Sequence, residues 1–261
     1  MSRMKNTGFV FAALIALVVL AFSPAFAAQA QQTPAQAQPA QAQPQPPAVQ
    51  PALLEQPMPD FTLPAYQGGE VTLSKLRGKN VLIIFSRGYA APNYWCTICN
   101  YRYVELVELE KAQQIRKKYN VEVLFVFPYD QGTVKTWLEV LPGQMDKIRE
   151  TKNPADPSKL DEAGKRRMER WRQIFPNDYS LNKGEVADPF PVLIDADRTV
   201  SKRLGLFQTE WTGSKVDQNI PSVFIVDKNG VLLFKYMGQN TVDRPSYEYL
   251  FKVLEIINGQ K

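Results

Sequence analysis

Two cysteines, three residues apart in Trp95-Cys96-Thr97-Ile98-Cys99, are the residues best suited to chemistry in this chain. A Cys-x-x-Cys pair closes too small a loop to stabilise a fold by constraining the unfolded chain. It suits a disulfide that opens and closes, half of a metal site, or an attacking thiol with its resolving partner. The chain has no histidine. A Cys–His dyad and a mixed Cys/His zinc site are therefore excluded, and a four-thiolate metal site would need a second chain. The pair is likewise an incomplete copper site. What remains is thiol–disulfide chemistry, with no metal and no cofactor expected.

The elements around the pair follow from apolar patterning. Val81-Leu82-Ile83-Ile84-Phe85 is a continuous β-branched and aromatic run, the signature of a strand buried on both faces. The loop Ser86 to Tyr94 leads to the cysteines. A helix is predicted from there to Tyr119, with Tyr103, Leu106, Val107 and Leu109 on its apolar side, and Asn120 ends it. Val121 to Phe127 reads as a second buried strand, so the order is strand, loop, Cys-x-x-Cys, helix, strand. Cys96 then stands at a helix start, where unpaired N–H groups and the macrodipole favour a thiolate.

Further on, Thr133 to Leu141 is predicted helical, and Pro142 to Ala187 is a polar insertion. Inside it a helix is predicted over Leu160 to Phe175, with Met168, Trp171 and Phe175 on one side; it packs on the core or serves as a lid. Phe190 to Asp195 and Ser222 to Val226 read as strands, with a short helix from Val200 to Leu204 between them. The turn Asp227-Lys228-Asn229-Gly230 returns the chain antiparallel over Val231 to Tyr236. A last helix is predicted from an N-cap at Asp243, through Pro245, to Gly259. The fold class is α/β: a mixed central sheet with helices on both faces and a helical insertion.

The first residues read as an export signal. Arg3 and Lys5 precede an apolar run from Gly8 to Phe22, and Ala25-Phe26-Ala27 gives a cleavage pattern at residue 27. The run is short of the roughly 20 apolar residues of a spanning helix, so membrane attachment is expected only if the segment is kept. Residues 28–52 contain Ala, Gln and Pro apart from Thr33 and Val49, the composition of a disordered spacer. A single domain is expected over 53–261. The formal net charge of +5, of which Arg3 and Lys5 supply two, is too small to suggest nucleic acid. The cluster Lys165-Arg166-Arg167 with Arg170 and Arg172 is interrupted by Glu169 and reads as a solvated helix face.

Several segments resemble the thioredoxin-like and peroxiredoxin-like (AhpC/TSA, redoxin) superfamily. These are Met58-Pro59-Asp60-Phe61-Thr62-Leu63, Val71-Thr72-Leu73, Leu76-Arg77-Gly78-Lys79, the Cys96–Cys99 motif, and Ile220-Pro221 before a strand. The resemblance implies a thioredoxin-like fold of the exported thiol–disulfide oxidoreductase type, and a cis-proline at Pro221. On the thioredoxin pattern Cys96 attacks a protein disulfide and Cys99 resolves the mixed disulfide. Pro221 then lies against the pair, and the backbone of Ile220 is free to pair with an extended peptide. On the peroxiredoxin pattern Pro92, Cys96 and Cys99 fall at the positions of the Pro-x-x-x-Thr-x-x-Cys motif. Cys99 then attacks a hydroperoxide and Cys96 condenses with the sulfenic acid. The position of that branch's arginine falls on Pro221, which departs from the pattern.

Three further residues complete the expected site. Arg102 can stabilise a thiolate at Cys99 or simply face solvent, and Arg87 can project toward the pair. Trp95 is expected to line a groove for a partner, with core packing as the alternative. The leading expectation is an exported, periplasmic thiol–disulfide oxidoreductase, served by protein disulfide or dithiol substrates and an upstream thiol electron donor. A thiol peroxidase acting on hydroperoxides, and a redox-inactive binding module, are the alternatives.

Overall fold

The computed structural model describes residues 48–184 and 188–259. The expected export signal and most of the expected spacer lie outside these residues. A five-stranded mixed sheet organises the rest. Its strands are β1 (Asn80–Phe85), β2 (Val121–Phe127), β3 (Val192–Ile194), β4 (Ser222–Val226) and β5 (Leu232–Met237). The spatial order is β5-β4-β1-β2-β3; β1, β2 and β3 are parallel, and β4 runs antiparallel to both β1 and β5.

Side chains alternate across this sheet, so each strand feeds two cores. Leu82, Val123, Phe125, Phe127, Val223 and Ile225 face one side. That side is covered by α1 (Thr97–Gln113), α2 (Gln131–Lys152) and a C-terminal helix, Tyr247–Gly259. Val81, Ile83, Phe85, Leu124, Val126 and Phe224 face the other. There the cover is mostly extended chain rather than helix. Ala52, Met58, Phe61, Leu63 and Leu73 pack with Val200 and Leu204, and the helical contributions among the described residues are short, a 3-10 turn at Leu73–Leu76 and the helix at Thr199–Arg203. Contacts with the domain begin before residue 53: Gln50 N–H donates to the Arg203 carbonyl, and Lys235 Nζ to the Ala52 carbonyl.

Three helix boundaries differ from the sequence reading by more than two residues. The helix after the cysteines stops at Gln113, because Gln114 is left-handed at φ 49°, and a separate turn follows at Ile115–Lys118. The Glu110 carboxylate closes that break by accepting from Arg116 N–H and Nε at 3.1 and 2.9 Å. α2 runs straight through Pro142, where the sequence reading ends it. An interior proline costs about 3 kcal/mol. Val134, Leu138, Leu141, Met145 and Ile148 nevertheless keep one apolar stripe, all of it buried, and each large side chain contributes about 1.5–3 kcal/mol. The last helix is capped by Ser246, whose Oγ accepts from Tyr249 N–H, and not by Asp243. Asp243 instead accepts from Gln239 and Asn240 N–H and closes the preceding turn.

The insertion therefore leaves the core after Lys152. It carries α3 (Glu162–Ile174) and is tied back by one buried cation. Lys152 Nζ donates to the carbonyls of Phe175 and Asn177 at 2.5 and 2.8 Å and meets Asp178 at 2.8 Å. Met168 and Phe175 are buried, so α3 packs rather than hovering over a site. Replacing Lys152 by Ala leaves the inward Phe175 carbonyl without its donor and the Asn177 carbonyl with only the long 3.5 Å bond from the Tyr101 hydroxyl, at a cost of about 1–3 kcal/mol. The expected result is faster hydrogen exchange in residues 153–184 while β1 and β2 keep their protection; equal loss everywhere contradicts a local latch.

Candidate active site

β4 is antiparallel to β1, with Ser222 opposite Phe85. The start of β4 therefore lies beside the end of β1, where the chain turns into the cysteine loop. After β1, Ser86-Arg87-Gly88 leads into a small hairpin, Tyr89–Ala91 with Tyr94–Trp95. Cys96 ends the hairpin and begins the helix in one residue. Its N–H donates to the Gly88 carbonyl at 2.8 Å, and its own carbonyl accepts from Asn100 N–H at 3.0 Å. Its Sγ is the helix N-cap, accepting from Cys99 N–H at 3.2 Å.

Cys96 and Cys99 are joined as a disulfide, with Cα atoms 5.3 Å apart. Both are nearly buried, at 3 % and 8 % exposure. The cysteines are not equivalent in access. Cys99 lines a small cavity whose walls are the apolar Ile84, Phe85, Phe125, Val223 and Leu250, with Pro221 and Pro245. Arg102, Arg244, Ser222 and Tyr247 supply its polar groups; Cys96 is not in this lining.

The structure brings together Cys96, Cys99, Arg102 and Pro221 of the residues expected from sequence. Arg102 lines the cavity but is held by neighbours: Nη1 donates to Glu105 at 2.6 Å, Nη2 to the Pro245 carbonyl at 2.5 Å, and the guanidinium lies 3.9 Å from the centre of the Tyr247 ring. Burial pushes the Glu105 carboxyl up, and the Arg102 charge opposes that shift.

Four expectations are corrected. Trp95 is not a groove wall for a partner: it is buried, stacked 3.9 Å on Tyr89 and edge-on to Tyr129. Pro92 sits at the exposed hairpin tip, away from the Cys99 cavity. Arg87 is engaged away from the cavity lining: its Nε donates to Gln218 Oε1 at 2.6 Å, and its guanidinium lies over Trp211 at 5.2 Å. The Ile220 backbone is not free for a peptide, because its N–H already donates to the Leu206 carbonyl at 2.7 Å. For Arg87 and Ile220 the correction comes from a partner distant in sequence, Gln218 or Leu206, and for Trp95 from Tyr129, none of which local patterning shows. None of the described insertion residues lines the cavity, so the lid reading finds no support.

Sequence reasoning missed Arg244. It approaches from the turn before the last helix, and its side chain is only 10 % exposed. Burial lowers its pKa to about 10, and the nearby positive charges of Arg87 and Arg102 push the same way against Asp243. No local signal marks it, since the turn reaches the cavity through tertiary packing alone.

A five-stranded mixed sheet with a Cys-x-x-Cys disulfide at the first turn of a helix defines a thiol-based redox protein of thioredoxin-like, peroxiredoxin-like architecture. The AhpC/TSA family profile matches residues 54–235, and the chain belongs to that family. Among solved structures it is similar to a mutant of peroxiredoxin 6 from Arenicola marina, at 14% identity and a TM-score of 0.50, covering 80% of this chain and 76% of that one. It is also similar to the reduced 2-Cys peroxiredoxin of Plasmodium vivax, at 17% identity and a TM-score of 0.48, covering 80% and 83%. At these identities the likeness is one of fold. No curated protein matches the sequence.

Gly88 carries the geometry of the pair. Its φ is +80°, and a Cβ there would land on the Tyr129 ring. Gly88→Ala is expected to destabilise the protein by about 1–3 kcal/mol from backbone strain alone, with the clash added. The urea midpoint should fall and the pair should re-oxidise more slowly after reduction; an unchanged midpoint and rate contradict this account of the loop.

Proposed function

We propose that the protein is a thiol peroxidase in which Cys99 attacks a small hydroperoxide and Cys96 resolves the product. The observation that carries this reading is access: Cys99, and not Cys96, lines the cavity. Attack of the Cys99 thiolate on ROOH, with one proton, gives the Cys99 sulfenic acid and ROH. The Cys96 thiol then condenses with that sulfenic acid, releasing water and forming the disulfide. An external dithiol returns both cysteines to the reduced state. The cavity is small and its walls are largely apolar, which suits a small neutral oxidant better than a polypeptide. Membership of the AhpC/TSA family supports the same chemistry. The export signal read at residues 1–27 supports placing this activity outside the cytosol.

One observation favours a second reading, dithiol–disulfide exchange led by Cys96. The Cys99 N–H donates to Cys96 Sγ, which would stabilise a thiolate there. The occupied Ile220 N–H counts against docking of an extended protein substrate at that strand.

Single-cysteine variants separate the two. On the peroxidase reading, the first turnover of hydrogen peroxide survives Cys96→Ser and is lost in Cys99→Ser, dropping to the rate of a free thiol. If peroxide is consumed no faster than by free cysteine in both, and a disulfide-bonded substrate is trapped by Cys99→Ser, the exchange reading replaces it.

A further inference from the structure

The cavity beside Cys99 is lined by a guanidinium, that of Arg244, with one edge unpaired. Arg244 Nη1 donates to the Asp243 carbonyl and, at 3.5 Å, to that of Asn240, and it lies 3.5 Å from the Asp243 carboxylate. Arg244 Nη2 is buried and has no acceptor among the described residues. A charged donor left unpaired in an apolar enclosure is costly, and native proteins rarely tolerate one. The turn is shaped to bring it there. Gly238 N–H donates to the Pro221 carbonyl at 2.9 Å, and a Cβ on Gly238 would stand 3.1 Å from that oxygen and 3.6 Å from Arg244 Nη1. A side chain at 238 would crowd the Pro221 carbonyl and touch the guanidinium.

Arg102 is paired with the Glu105 carboxylate and donates to the Pro245 carbonyl, whereas Arg87 is hydrogen-bonded to the neutral amide of Gln218. Tyr247 is a neutral phenol whose hydroxyl donates to the Arg102 carbonyl, and burial pushes its pKa up. Asp243 faces the Nη1 edge. Three guanidiniums, of Arg87, Arg102 and Arg244, thus stand against two carboxylates, Glu105 and Asp243, and neither sulfur of the disulfide carries charge, so the site holds a surplus of positive charge.

We propose that Arg244 is the counter-ion the Cys99 thiolate meets when the disulfide opens, and that it makes Cys96–Cys99 a more oxidising pair than the same motif without it. The inference rests on Cys99 being the reacting sulfur. Two thiols reduce the disulfide to a Cys96 thiol and a Cys99 thiolate, giving one external disulfide and one proton. Only the reduced side of that equation gains an anion for Arg244. Stabilising the reduced form raises the tendency to accept electrons. Arg244 is a positioning residue in this scheme: it acts on the charge of the sulfur.

The test has two readouts. In the Cys96→Ser protein, the rate of iodoacetamide alkylation against pH gives the Cys99 pKa. In the two-cysteine protein, equilibration with a glutathione buffer gives the ratio of dithiol to disulfide. R244Q is expected to raise the Cys99 pKa by at least one unit and to shift the glutathione equilibrium about tenfold toward the disulfide, while R244K restores most of both. D243N frees Arg244 from its carboxylate and is expected to move the pKa the other way; it serves if R244Q does not fold. A Cys99 that titrates near the free-thiol value of about 8.5 with Arg244 intact overturns both this proposal and the assignment of Cys99. A low Cys99 pKa that neither R244Q nor D243N moves overturns the role of Arg244 alone.

Discussion

Everything at the cysteines depends on Cys96 being shared by two elements. Its N–H closes the small hairpin onto Gly88, its carbonyl starts the helical ladder at Asn100, and its sulfur caps the first turn. A residue with all three groups engaged has little freedom, and Cys99, one turn on, inherits that order. The stacked Tyr89 and Trp95 and the edge-on Tyr129 brace the hairpin from behind. The aromatic residue beside the motif thus works as a strut for the loop rather than as a surface for a partner.

The sheet supplies the rest of the site. Because β4 runs against β1, its first residues arrive where the parallel strands end, and Pro221 and Ser222 complete the cavity wall. The turn after β5 folds back over Pro221 and carries Arg244 with it. Three guanidiniums, of Arg87, Arg102 and Arg244, end close enough that each positive charge disfavours the protonated form of Arg244. Apolar walls keep that field from being screened by water.

Much of the fold was legible because it is written in local patterns. β2 and β4 have the bounds that their apolar runs suggest, and Cys96 stands at a helix start as the spacing requires. Pro142 misled because proline is a local stop signal, and the stripe that overrides it continues on the far side, at Met145 and Ile148. At the site, Arg102 was visible through helical periodicity from Cys99. Arg244 was not, since no pattern along the chain links a turn before the last helix to the first turn of α1. The resemblance offered Ile220 as an open edge, but Leu206 occupies it, and that pairing belongs to the tertiary fold.

The short reach between the two sulfurs sets the fate of any oxidised intermediate. With the Cα atoms 5.3 Å apart on one helical turn, joining them requires no unwinding of α1. On the proposed peroxidase reading, a sulfenic acid at Cys99 would have its resolving thiol within reach from the moment it forms. Such an arrangement would trade away any signalling use of a long-lived oxidised sulfur and gain protection against the irreversible sulfinic and sulfonic states.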